Sequence, residues 1–162
     1  MLIALILFSN NSFAFKFCEI ESGITYEEAI SFAKQNSFEF QALKNLENPT
    51  LSLKYFFNNE NFNITLEFSK TSKRLYSLTM FEYDSEDSSI YNIKFEKLKS
   101  TLDNTYGKSR IENYTIGVIG VTKTIPDNPK IYIYKNNEDE ITLTFSKKIP
   151  LLMVRYCSNK YK

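Results

Sequence analysis

The sequence contains no histidine and no tryptophan. Histidine is the usual general base and the commonest metal ligand near neutral pH, so its absence argues against most hydrolytic and metal-centred chemistry. No catalytic residue, metal site or cofactor is assigned. Without tryptophan, the core and any contact surface lean on 14 Phe and 11 Tyr. Charge of one sign is also lacking: 20 basic and 19 acidic residues give a net charge of +1. The electrostatic footprint of a nucleic-acid binder is therefore missing, and so is a polybasic cluster for an anionic membrane. The apolar run Leu2 to Phe8 falls far short of the ~20 residues that span a bilayer, so the mature chain is expected to carry no integral membrane segment.

What remains is the composition of a folded protein. Of 162 residues, 43% are apolar and 24% charged, which suits one packed domain or two small repeats sharing a core. Residues 1–14 read as a signal peptide, with small residues Ser12 and Ala14 at −3 and −1 of a cut before Phe15. The competing reading is a buried N-terminal strand. Cys18 is preceded by Phe15, Lys16 and Phe17 rather than a lipobox, which disfavours a lipid anchor. The expected location is outside the cytosol, periplasmic or secreted.

The mature chain, residues 15–162, has two cysteines, Cys18 and Cys157. An even count in an oxidising compartment favours a disulfide, and only one pairing exists. Closing so long a loop would stabilise the fold by roughly 4–5 kcal/mol in the chain-entropy picture. Two free buried thiols are the alternative.

The stretch Ile64–Lys70 recurs as Ile141–Lys147 with six of seven positions identical. Both copies alternate apolar and polar residues, the mark of a half-buried strand. Both follow an Asn-Asn-Glu turn, at 58–60 and 136–138, and precede a further apolar strand. Thr25 with Glu28 forms a capping box, so a helix is expected from Thr25 to about Gln35. The pattern from Phe38 to Leu46 fits either a short strand or a continuing turn. Strands are expected at Leu51–Phe57, Phe62–Ser69 and Arg74–Tyr83, joined by polar turns.

Tyr91, Phe95, Leu98, Leu102 and Tyr106 then recur at helical spacing, with Gly107 placed to end the helix in a left-handed conformation. Tyr114 to Ile125 reads as one β-branched strand, with Gly117 and Gly120 as bulges or sites of close backbone approach, and strands at Ile131–Lys135, Glu140–Ser146 and Leu151–Cys157 complete the chain. The expected class is α+β: an antiparallel sheet from two helix-plus-meander repeats, residues 23–83 and 88–158, with both helices on one face.

These residues carry a resemblance. The paired strands Ile64–Lys70 and Ile141–Lys147, the helix from Thr25 and the helix ending Tyr106-Gly107 are arranged as a duplicated helix and meander over most of the mature chain. This resembles the architecture of β-lactamase inhibitory proteins and, more distantly, of small outer-membrane assembly lipoproteins. The resemblance implies that the open sheet face binds another protein; it transfers no contact residues. Alternation in the strands leaves Tyr55, Phe57, Tyr76, Tyr132 and Tyr134 as candidates for that surface, with packing beneath the helices as the other possibility.

Acidic clusters at Glu138-Asp139-Glu140 and at Asp84, Glu86 and Asp87 fit solvated turns better than cation sites, since a calcium loop's glycine and closing Glu are missing. Phosphate-binding and nucleophile-elbow motifs are absent. The leading expectation is an exported, non-catalytic module that binds another protein, inhibitor-like or an envelope accessory factor. A carrier of a small apolar ligand is the alternative, and a hydrolase the third reading.

Overall fold

The computed structural model describes residues 16–17, 20–43, 46–57, 60–83, 88–113, 116–118, 121–123, 129–135, 139–146 and 151–162. The expected signal peptide, the Asp84–Asp87 cluster and Cys18 lie outside them. The short strands β1 (Lys16–Phe17) and β2 (Ile20–Glu21) pair with each other and lead into helix α1 (Tyr26–Gln35). Thr25 caps this helix as its sequence requires: its hydroxyl accepts the Glu28 N–H at 3.2 Å, and its own N–H donates to the Glu28 carboxylate at 2.7 Å. Those bonds hold the Glu28 carboxyl below its ordinary pKa. Ala29 and Ala33 are fully buried, and small side chains there let α1 sit close on the sheet.

Four strands follow, β3 (Glu39–Leu43), β4 (Thr50–Phe57), β5 (Glu60–Phe68) and β6 (Leu75–Tyr83). The ambiguous segment after Phe38 thus resolves as an edge strand. Helix α2 (Ser88–Tyr106) comes next, and Gly107, with φ +81°, ends it by donating its N–H to the Asp103 carbonyl. The second half contains β7 (Arg110–Asn113), β8 (Ile116–Val118), β9 (Val121–Lys123), β10 (Lys130–Lys135), β11 (Asp139–Ser146) and β12 (Leu151–Ser158). The single strand expected over Tyr114–Ile125 is instead two short strands: β8 and β9 pair antiparallel as a separate ribbon, with Gly117 opposite Thr122. Gly120 lies outside the described residues.

One antiparallel sheet of eight strands results, in the order β3-β4-β5-β6-β12-β11-β10-β7. Each half runs from its own edge to the centre in chain order, and β6 and β12 join the halves through Tyr83↔Leu151 to Ser77↔Cys157. Both helices pack on the same side. Tyr26 of α1 meets Phe68 edge-on at 5.1 Å, while Phe95 of α2 stacks on Phe145 at 4.4 Å and tilts against Tyr132 at 5.1 Å. One buried cluster unites these residues with Leu51, Leu66, Leu78, Leu143 and Leu102. Leu66, Leu78, Tyr156 and Ile141 stand in register across the four central strands, so a single apolar face serves both helices.

Candidate functional site

The register that turns these side chains toward the helices turns their neighbours to the opposite face. That face is laid out in rows. One row runs Ser52, Thr65, Thr79, Arg155, Thr142 and Ile133 across adjacent strands. A second runs Asn63, Phe81, Met153, Thr144 and Ile131, and a third runs Glu67, Ser77, Cys157 and Glu140. Between Glu67 and Phe68 the register shifts, so that β6 contributes Tyr76 as an extra residue while Phe68 still reaches the core opposite Leu75. Tyr76 is 5% exposed, its hydroxyl accepts a bond from the Asn48 amide at 3.1 Å, and burial followed by the nearby Glu67 carboxylate raises its pKa.

Charges on this face are paired across strands. Arg155 donates from Nη2 to Glu67 at 2.9 Å and from Nε to the Ser77 hydroxyl at 3.1 Å, which bridges β12, β6 and β5. Lys54 meets Glu39 at 2.8 Å and Lys135 meets Glu140 at 2.5 Å, while within β7 Arg110 meets Glu112 at 2.7 Å. Between these pairs lies an apolar strip. Phe81 and Met153 oppose each other on the two central strands and are half-buried, as is Ile131; Ile133 and Thr144 are buried. The arrangement suits contact with a flat surface: an apolar centre that can be desolvated, rimmed by polar groups whose charges are already satisfied.

Cys157 is the one thiol among the described residues. Burial raises the Cys157 pKa, with Arg155 opposing, which keeps sulfur away from the reactive thiolate. Among the described residues, no three Cys, Asp or Glu side chains are grouped to hold a metal ion, and no helix is long and apolar enough to cross a membrane. Asp139 and Glu140, neighbours in an acidic run, are separated by the strand's alternation: Asp139 is buried in register with Ser158, and Glu140 pairs with Lys135 on the open face.

Of the residues expected to form one aromatic surface, the three with described side chains do not share a face. Tyr76 lies on the open side but is covered. Tyr132 and Tyr134 pack beneath α2: Tyr132 faces Phe95 with Lys99 Nζ 5.7 Å from its ring, and Tyr134, 2% exposed, donates its hydroxyl to Asp103 at 2.9 Å. That burial raises the Tyr134 pKa to about 12. Tyr55 and Phe57 stand opposite Phe62 and Glu60 in the β4–β5 pair, and their side chains are outside those described. Cys157 is half-buried on the open face; no disulfide is shown, because Cys18 is not among the described residues.

Phe81 and Met153 were missed by a reading that counted tyrosines. The signal for them is in the sequence: Met80-Phe81 and Leu151-Leu152-Met153-Val154 are unbroken apolar runs, and a run without alternation puts apolar side chains on both faces of a strand. No family model, curated protein or solved structure matches the chain.

Proposed function

We propose that the chain is an exported, non-catalytic protein-binding module that engages another protein through the sheet face opposite its helices. The observation that carries this reading is the Phe81–Met153 pair at the join of the two halves, half-buried and flanked by the Glu67–Arg155–Ser77 bridge. The opposite side of the sheet is filled by the protein's own packing: Phe95 stacks on Phe145, and Ala29, Leu51, Leu66 and Leu143 are fully buried. This favours a ligand on the open face over a small apolar ligand held inside.

Export by a leader over residues 1–14 and a Cys18–Cys157 disulfide belong to the same reading. So does duplication: Ile64–Phe68 and Ile141–Phe145 of the recurring stretches lie on β5 and β11, each the third of four strands counted from its own sheet edge, with a helix preceding each set. Two such units joined at β6 and β12 give the broad face that the resemblance to inhibitory proteins implies.

The test is capture from the envelope fraction and medium of the producing organism, with partners identified by mass spectrometry. A protein retained by the wild-type chain and by Ile93→Ser, which alters the exposed side of α2, but not by Phe81→Ser/Met153→Ser, supports the reading. A protein retained equally by all three overturns it.

A further inference from the structure

The eight-stranded sheet ends at β3 and β7, and the two edges differ in what an identical strand would meet there. Among the described residues β7 has β10 as its one sheet neighbour and stands last in the strand order. Ile111, opposite Tyr132 on the helix side, is 56% exposed. Arg110 and Glu112 flank it on the opposite face and pair with each other in the same chain, with side chains 65% and 49% exposed. An unprotected edge strand is a template for another chain, and natural edges commonly blunt it with charged side chains, which repel when like charges stand directly opposite. This edge carries opposite ones.

Consider two copies of β7 set antiparallel about a twofold axis through Ile111. Ile111 then opposes its own copy, Arg110 opposes Glu112 of the second copy, and Glu112 opposes that copy's Arg110. Directly opposed apolar pairs and directly opposed unlike charges are the combinations that favour strand pairing, and a twofold interface makes each of them reciprocal. The ion pair made within each chain is exchanged for two between chains, while an exposed isoleucine is covered. The other edge offers no such match: β3, centred on Gln41, would set Glu39 against Leu43 of its copy.

We propose that the protein forms a twofold homodimer by antiparallel pairing of β7 with β7 of a second copy, joining the two sheets into one. Opposed residues of an antiparallel pair share a face, so the open faces of both copies lie on the same side. This inference stands on the edge alone and is independent of what that face binds.

Sedimentation equilibrium of the mature chain in reducing buffer tests it, with Arg110→Glu and Arg110→Glu/Glu112→Arg alongside the wild type. A dimer is expected that dominates at about 100 µM, as a micromolar Kd requires. Arg110→Glu sets carboxylate against carboxylate and raises Kd by about tenfold or more; the double exchange restores the reciprocal pairs and returns Kd to within about threefold of wild type. A wild-type chain that stays monomeric at that concentration overturns the proposal. So does a dimer indifferent to Arg110→Glu, or a double exchange that fails to restore association.

Discussion

The hydroxyls of Tyr106 and Tyr156 lie 2.7 Å apart, tying the end of α2 to β12 within the helix-covered layer. Tyr156 is 1% exposed, and burial, then its hydrogen bond with Tyr106, raises its pKa. Replacing either hydroxyl removes this bond, so Tyr106→Phe and Tyr156→Phe are each expected to cost about 1 kcal/mol in urea unfolding. The double variant should cost less than the two singles together, because both remove the same contact. Strict additivity would show that the hydroxyls do not act as a pair.

Alkaline pH should weaken the fold through the same residues. Burial raises the pKa of Tyr106, Tyr134 and Tyr156 above the ordinary 10.0, Tyr134 to about 12. Above pH 10 the unfolded chain gives up phenolic protons that the folded chain retains, so the unfolded state is favoured as pH rises. The contribution is full below pH 10 and is lost progressively as pH climbs through the folded-state values. The urea midpoint should fall between about pH 10 and 12, and Tyr134→Phe should flatten that fall relative to wild type. An unchanged slope in the variant would count against the assignment.

Gly23 joins β2 to α1 with φ +89°, and a methyl group there would come within 2.7 Å of the Tyr161 ring. The ring is held in place in part because the Tyr161 carbonyl accepts the Ser72 hydroxyl at 3.0 Å. Gly23→Ala therefore meets two costs, backbone conformation and steric overlap. The variant is expected to lose more than about 1 kcal/mol of stability. In a Tyr161→Ala background the steric part disappears and the conformational part stays, so the loss shrinks without vanishing. Equal losses in both backgrounds would mean that the ring moves aside freely.

The helices were legible because their chemistry is local. Thr25 and Glu28 announce a cap, and the spacing of Tyr91, Phe95, Leu98 and Leu102 announces a buried stripe; both are found as expected. The half-buried strands β5 and β11 were legible from alternation for the same reason. Edge strands were not. β7 has one apolar residue between Arg110 and Glu112, and its strand identity comes from pairing with β10. Which aromatic side chains face outward was not legible, because period-two alternation fixes that neighbours face apart without saying which side the helices cover. Tyr132 and Tyr134 fall on the covered side since β10 pairs in register with Leu143 and Ile141. The residue displaced by the register shift at Glu67/Phe68, Tyr76, is beyond any pattern of period two.

Cys157 sits half-buried on β12, and its proposed partner is Cys18. Intact mass of the chain purified from an oxidising compartment should be short by two hydrogen atoms, and reduction should lower its stability by up to roughly 4–5 kcal/mol. Alkylation of both thiols after unfolding without reductant would contradict the bridge.

The open face is tested most directly by titrating the captured partner into the purified chain by calorimetry. Phe81→Ser is expected to weaken binding by at least about tenfold while Ile93→Ser, on the exposed side of α2, leaves Kd unchanged. A Kd unmoved by Phe81→Ser in a folded variant, or weakened by Ile93→Ser instead, would contradict the account.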